Sequence, residues 1–273
     1  MDILTVSALY KINSKRPFEE YFYFMRLLIT STTHKMVIFT TEDIKHFIPM
    51  RENIHIIILP IEEWYSHSFA NENQYKRITQ LYSIIHNVRR IDSNLIKVYA
   101  EKHMFVKRAL QLFPDFSYYM WMDIGCVRMD AELKPYLTTF PNINKLQLLN
   151  IGDKICFQLR RDISINNLND FNSFRCNPYI GGGIIIGSSK AWAQFPQLYQ
   201  TSLASLKKMK VLWGNDEHIY TDMLIKNQEH ITAIETYHAD IAPDFPHRDY
   251  MTWFGFLFAL SDNYTGPIRM LVN

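Results

Sequence analysis

An aspartate directly follows an apolar segment at residues 121–125, which read WMDIG. The pattern predicts that Asp123 lies at the end of a buried strand, where open parallel sheets bind their ligands. A carboxylate there can hold a hard divalent cation, which prefers oxygen ligands and bridges substrate phosphates. Gly125 would let the backbone approach a bulky ligand. An aspartate that only caps the turn explains these residues equally well.

Lys102 falls on the apolar face of a predicted helix. Steps of three and four residues from Tyr99 reach Lys102 and then Val106. An inward lysine either extends to the helix edge or binds an internal anion, such as a phosphate near Asp123. The opposite face is predicted to be solvated, and it carries Lys97, Glu101, Lys107 and Arg108.

Four of the nine glycines lie in residues 180–187, which read IGGGIIIG. The clustering indicates that a ligand or another strand approaches the backbone closely at Gly181, Gly182 and Gly183. The phosphate-binding patterns GxxxxGK[ST] and GxGxxG are both missing from the sequence. A glycine-rich turn leading into a strand is the simpler alternative.

Two acidic residues open another predicted helix, after residues 213–215, which read WGN. Asn215 is the expected N-cap, so Asp216 and Glu217 fall in the first turn, where acids complement the helix dipole. Either carboxylate could instead act as a general base or accept a sugar hydroxyl, and these residues alone do not choose. Near the C-terminus, His238 or His247 could complete a metal site with Asp123.

Short apolar runs alternate with amphipathic stretches, which predicts an α/β protein whose mostly parallel sheet is covered on both faces. The predicted strands are Ile3–Leu9, Met36–Thr40, 55–59, Tyr118–Met122, Ile155–Leu159 and 184–186. The predicted helices are Phe18–Ser31, 94–113, 190–209, one capped by Asn215 that ends near residue 226, and 251–260. Residues 150–178 are rich in Asn, Asp and Arg and predict a long surface loop. No linker is visible, so residues 1–273 are expected to form a single domain with an irregular C-terminal half.

The composition is that of a folded globular protein, with 48% hydrophobic and 21% charged residues in a chain of 273. A net charge of +2 argues against broad nucleic-acid binding, which needs a strong basic excess. No apolar run approaches the ~20 residues that span a bilayer, and the first residues lack the basic start of a signal peptide. We therefore expect a cytoplasmic protein without a transmembrane segment. Three widely spaced cysteines are expected to be buried hydrophobic residues, namely Cys126, Cys156 and Cys176.

Read in chain order, these segments resemble GT-A-type glycosyltransferases, and most closely the HtrL/YibB family. The matching stretches are SALY at 7–10 with Arg16 and the helix after it, residues 99–102, WMDIG at 121–125, GGGIIIGSSKAW at 181–192 and NDE at 215–217. The resemblance extends to about residue 230. It implies a GT-A-like (Rossmann-like) fold in which residues 1–128 bind a nucleotide-sugar and residues 129–273 bind the acceptor.

The resemblance also implies an activity and a role for each residue. A sugar would pass from a nucleotide-sugar, with a UDP-sugar favoured, to a glycan or another hydroxyl acceptor, assisted by Mn²⁺ or Mg²⁺. The implied donor-binding residues are Leu9, Tyr10, Lys11, Arg16, Lys102, Asp123 and Gly125. The implied acceptor residues are Gly181, Gly182, Gly183, Trp213 and Asn215, the implied catalytic acids are Asp216 and Glu217, and the implied metal ligands are Asp123 and His238. Gly125 stands where such enzymes carry a second aspartate, which leaves the binding mode of the metal, and the need for it, open.

Two other classes of protein share some of these features. A nucleotidyltransferase-like, phosphate-handling enzyme would also place an aspartate and a metal at a strand end. It should carry a loop rich in Gly, Arg and Lys after the first strand, and residues 11–16 (KINSKR) are basic but contain no glycine. A non-catalytic module that binds a nucleotide or a carbohydrate is the second alternative.

Overall fold

The computed structural model describes residues 2–88, 91–128, 130–160, 179–210, 213–236, 254–266 and 268–271. Eight strands of this part form one sheet in the order β3-β2-β1-β4-β6-β5-β7-β8. They are β1 Ile3–Leu9, β2 Met36–Thr40, β3 Ile54–Ile58, β4 Tyr118–Met122, β5 Ile155–Leu159, β6 Ile180–Ser188, β7 Ile231–Glu235 and β8 Arg269–Met270. The predicted α/β class with a mostly parallel sheet is confirmed. The sheet includes strands from both predicted halves of the chain.

Two strands depart from the parallel arrangement of the others. Parallel pairs join β1 to β2 and β4, β2 to β3, and β5 to β7. Strand β6 runs antiparallel to both β4 and β5, and β8 runs antiparallel to β7. Because β6 is reversed, the last residue of β4, Met122, pairs with Ile184 in the middle of β6, and the first residues of β6 extend past the end of β4.

Helices cover both faces of this sheet. They are α1 Phe18–Ser31, α2 Glu42–Lys45, α3 Glu72–Ile85, α4 Ser93–Leu112, α5 Asp130–Leu137, α6 Ile143–Leu148, α7 Ser189–Lys208, α8 Asp216–Lys226 and α9 Phe256–Ala259, with short 3₁₀ helices at Ile61–Glu63 and Tyr65–Ser68. None of the helices in the described ranges has both the length and the apolar character that a bilayer span requires.

Strand β4 shows why the core divides into two layers. Successive side chains of a strand point to opposite faces of the sheet. Tyr119 and Trp121 pack on the face that holds Phe105 of α4, while Met120 and Met122 pack on the face that holds Met25 of α1. These four side chains of β4 are buried, so this strand is the centre of the sheet and its end is fixed in place.

The prediction that one face of α4 is solvated is wrong at two residues. Glu101 is fully buried and accepts hydrogen bonds from the backbone N–H groups of Tyr65 and Ser66, at 3.1 and 2.7 Å. Lys97 is 4% exposed and pairs with Glu72 of α3 at 2.7 Å. The reason is that α3 and a 3₁₀ helix cover a second side of α4. The other two residues of that face are exposed or half-buried, namely Lys107 and Arg108.

The glycine-rich segment belongs to a strand. Gly181, Gly182 and Gly183 lie inside β6, which is longer than the predicted 184–186, so the alternative of a glycine turn is wrong. The predicted helix over 251–260 is present within the described residues as α9, Phe256–Ala259. Cys126 and Cys156 are buried free thiols, as predicted, whereas Cys176 and most of the predicted 150–178 loop lie outside the described residues.

Candidate functional site

A cavity of about 610 Å³ opens at the carboxyl ends of β1 and β4. This is the position at which α/β sheets leave a crevice for ligands. Eleven residues that the sequence singled out line the cavity: Leu9, Tyr10, Arg16, Lys102, Asp123, Gly125, Gly182, Gly183, Asn215, Asp216 and Glu217. Segments that are far apart in the chain therefore meet at one site.

Of the remaining predicted residues, three lie elsewhere in the structure and two fall outside the described residues. Lys11 is exposed and does not line the cavity. Trp213 packs on Tyr75, with ring centroids 5.7 Å apart, and under the ammonium of Lys207. Gly181 is buried in β6 behind the cavity-lining glycines. His238 and His247 lie outside the described residues.

The centre of the site is the buried ammonium of Lys102. It lies 3.0 Å from Asp123 Oδ1 and 2.8 Å from Asp216 Oδ2, and it donates a hydrogen bond to the carbonyl oxygen of Gly182 at 2.8 Å. A lysine ammonium has three donors, and the protein supplies an acceptor for each of them. Lys102 therefore holds two carboxylates together, instead of reaching outward as a free cation.

Backbone and side-chain contacts fix Asp123 in this position. Its backbone N–H donates to the carbonyl oxygen of Gly183 at 2.8 Å. The indole Nε1 of Trp121 donates to Asp123 Oδ1 at 2.8 Å. The described contacts of the carboxylate fall on Oδ1, and 37% of the side chain is exposed toward the cavity. Asp123 is thus anchored through one oxygen while it faces the cavity.

Gly182 is required for the position of Asp216. A Cβ atom at Gly182 would lie 2.7 Å from Asp216 Oδ2 and 3.1 Å from Tyr220 Cε2. Real Cβ atoms essentially never come within 3.0 Å of another atom, so a side chain here would push the Asp216 carboxylate away from Lys102. The close approach predicted from the glycine cluster is therefore made, at this residue, by a side chain of α8.

Close packing also explains why residue 125 is a glycine. A Cβ atom there would lie 3.0 Å from Cδ1 of the Tyr21 ring. Glycine at this position thus allows α1 to pack closely against the turn after β4. A second aspartate two residues after Asp123 would need Tyr21 to move.

The charges of Lys102 and Asp123 depend on each other. Burial alone would lower the pKa of Lys102, but the carboxylates of Asp123 and Asp216 outweigh burial and raise it above the ordinary value. Burial raises the pKa of the Asp123 carboxyl, and the ammonium of Lys102 opposes this rise. The ammonium therefore stays charged at any physiological pH.

Glu217 has a different environment from that of its neighbour Asp216. It pairs with the guanidinium of Arg160 at 3.2 Å, and its backbone N–H donates to Oδ1 of the N-cap residue Asn215 at 3.2 Å. Burial raises the pKa of Glu217 to about 7, against the opposing charge of Arg160. A carboxylate poised near neutral pH at a cavity wall is suited to accept a proton.

Several cavity residues were missed by the sequence analysis. Lys15 lies 5.3 Å from the ring centroid of Tyr82 and 5.9 Å from that of Tyr99, and all three line the cavity. Arg128 lies on the turn after Asp123 and also lines the cavity. Arg128 lies three residues after the WMDIG stretch and Lys15 precedes Arg16, so closeness to predicted residues was the available signal.

The fold and the site define an α/β protein with a charged ligand cavity at the carboxyl ends of its central strands. Residues 8–227 match the model of the HtrL_YibB family, described as a bacterial protein of unknown function, and the chain belongs to that family. This confirms the resemblance drawn from the motifs. No curated protein matches the chain. A crystal structure of core-mannan synthase A from Aspergillus fumigatus, in a Mn/GDP form, superposes with a TM-score of 0.49 and 12% identity, over 85% of this chain and 72% of that chain.

Proposed function

We propose that this protein is a GT-A-like glycosyltransferase that moves a sugar from a nucleotide-sugar to a hydroxyl acceptor such as a glycan. The observation that carries the proposal is the Lys102 ammonium, which holds Asp123 and Asp216 together in the wall of the 610 Å³ cavity. Acids that face a cavity beside fixed cations suit a reaction in which a diphosphate departs and a hydroxyl proton is taken up.

The donor half of the cavity lies at the end of β1. Leu9, Tyr10 and Arg16 line it together with Asp123. We assign the nucleoside to the β1 end and the diphosphate to the region between Arg16 and Asp123. A UDP-sugar is the first donor to test. The acceptor would approach from the side of Gly182, Gly183 and Asn215.

The residues present fit a divalent cation that the protein and the donor share. Among the described residues, no group of three His, Cys, Asp or Glu side chains could hold a metal. Asp123 still offers an oxygen to the cavity, and Mg²⁺ is commonly bound through one or two carboxylates plus substrate phosphates. We propose Asp123 as the protein ligand for Mn²⁺ or Mg²⁺, with His238 as the predicted second ligand. When bound, the cation would neutralise charge on the departing diphosphate.

Glu217 is the proposed general base. Asp216 is committed to the ammonium of Lys102, whereas Glu217 lies at the same cavity with a pKa of about 7. Glu217 would take the proton of the acceptor hydroxyl as the oxygen attacks the anomeric carbon and the bond to the diphosphate breaks. This arrangement corresponds to an inverting reaction, and NMR of the product anomer tests it.

A thermal-shift screen of UDP-, GDP- and CMP-sugars, with and without Mn²⁺, tests the proposal, since a ligand that binds the folded state raises its melting temperature. At least one nucleotide-sugar should raise it and should be hydrolysed or transferred. Asp123→Asn should abolish both effects. Asp153→Asn is the matched control, because that carboxylate pairs with Lys190 on the surface, with 55% of its side chain exposed.

Two results would overturn the proposal. One is that no nucleotide-sugar binds or turns over, and the other is that Asp123→Asn keeps full activity. Release of pyrophosphate from a nucleoside triphosphate would instead indicate a nucleotidyltransferase. Binding without turnover would indicate a nucleotide- or carbohydrate-binding module.

A further inference from the structure

A diphosphate in the cavity needs positive charge that Lys102 does not supply. The three donors of its ammonium face Asp123, Asp216 and the carbonyl oxygen of Gly182. Its charge is therefore already balanced by the protein. Another cation at the cavity must meet the anionic part of the donor.

Arg128 has the geometry for this role. Its Nε donates to the carbonyl oxygen of Gly125 at 2.9 Å, and its guanidinium carbon lies 5.1 Å from the ring centroid of Phe254 and 5.8 Å from that of Phe24. These contacts orient the guanidinium. Within the described ranges, no carboxylate pairs with it. An oriented guanidinium with two terminal nitrogens to offer is suited to bidentate binding of phosphate.

Arg16 approaches the same ring as Arg128. Its guanidinium carbon lies 5.8 Å from the Phe24 centroid, and it pairs with Glu20 at 2.6 Å. Both arginines line the cavity. Two guanidinium groups beside one ring can each bind one phosphate of a diphosphate, while Glu20 already offsets the charge of Arg16.

We propose that Arg128, assisted by Arg16, binds the diphosphate of the donor. This inference rests on the proposed function and adds to it the residue that supplies the charge. The carbonyl oxygen of Gly125 links Arg128 to the turn that follows Asp123. This turn therefore positions both the guanidinium of Arg128 and the carboxylate of Asp123, the proposed metal ligand, to contact the same diphosphate.

Isothermal titration of the full chain with inorganic pyrophosphate, in metal-free buffer of constant ionic strength, tests the inference. Arg128→Gln should weaken binding by about tenfold to a hundredfold, since hydrogen bonds between charged groups are the strong ones. Arg16→Gln should weaken it less, because Glu20 already compensates that charge. Arg26→Gln is the matched control, since Arg26 also stacks on a ring of α1, 5.7 Å from Phe22, but does not line the cavity.

Circular dichroism of each variant must show the wild-type fold. The inference is overturned if wild-type protein does not bind pyrophosphate, if Arg128→Gln binds it as well as wild type, or if Arg26→Gln weakens binding equally. These outcomes are separate from those of the proposed function. Binding that depends on Arg128, without turnover of any nucleotide-sugar, would support the anion site and refute the transferase. Turnover of a nucleotide-sugar that Arg128→Gln leaves unchanged would support the transferase and refute the anion site.

Discussion

Replacing Lys102 with methionine removes the one ammonium that holds Asp123 and Asp216 together. Methionine keeps much of the apolar volume, so the change acts mainly on charge. Removing one partner of a buried ion pair destabilises a protein by about 3–5 kcal/mol, because the remaining charge is left buried without compensation. Asp216 is 4% exposed and should contribute fully, whereas Asp123 is 37% exposed and is partly solvated. We therefore expect a loss near the lower end, about 3 kcal/mol at pH 8.

The dependence of this loss on pH has a definite sign. Burial already raises the pKa of Asp123, and without the ammonium that opposes this rise the pKa goes up further, so the folded variant binds a proton that the unfolded chain lacks. Lowering the pH then stabilises the folded variant. Below the raised pKa, the loss should shrink by up to about 1.4 kcal/mol for each pH unit and each proton.

Urea unfolding at pH 8 and pH 5.5, followed by tryptophan fluorescence, measures both effects. Lys97→Met is the matched control, since that lysine is equally buried on the same helix but pairs with Glu72, which is 49% exposed and can be solvated. It should lose less than about 1 kcal/mol. Adding Asp216→Asn to Lys102→Met should restore part of the stability. A loss below about 1 kcal/mol at pH 8, or the same loss at both pH values, would refute the assigned role of Lys102.

Three further predictions concern single side chains. Glu217→Gln should lower kcat by about 10²–10⁴-fold, and wild-type kcat/KM should rise with pH through about 7 as Glu217 loses its proton; a variant with wild-type kcat would contradict its role as the base. Gly182→Ala should destabilise the protein by about 1–3 kcal/mol, as overpacking does, because the new methyl would meet Asp216; an unchanged urea midpoint would contradict this contact. Burial raises the pKa of Glu101 to about 7, so the stability that it contributes is present below pH 4.5 and is lost as the pH rises through 7. Glu101→Gln should therefore reduce the fall in unfolding free energy between pH 5 and pH 8, and identical slopes for variant and wild type would contradict it.

The sequence predicts the central strands well because each is a short apolar run with distinct borders. The bounds of β1, β2 and β4 agree with those in the structure, and the position of Asp123 at the end of β4 follows from them. Helix α3 is missed, because its apolar residues are few and its buried face is formed mainly by Tyr75, Ile78 and Tyr82. Strands β7 and β8, at one end of the sheet, are also missed, because Thr232 interrupts the apolar run of β7 and β8 has only two residues.

The contacts at the site depend on tertiary structure that local patterns do not contain. Periodicity correctly places Lys102 on the inner face of α4, but it cannot show that Asp216 of α8 is one of its partners. It also assigns Glu101 to solvent, because the pattern of one helix does not reveal that a 3₁₀ helix covers its other side. Spacing identifies candidate residues, and the packing of the sheet decides which of them meet.

The shared ammonium also constrains how this protein can diverge. Lys102 serves two carboxylates from distant segments of the chain, so replacing the lysine leaves Asp216 as an uncompensated charge in a buried place. Neutral drift at these positions should therefore be slow, and successful replacements should arrive in pairs. Homologues that have lost the lysine should also lack an acid at the position of Asp216, and this joint loss would be visible in a comparison of related genomes.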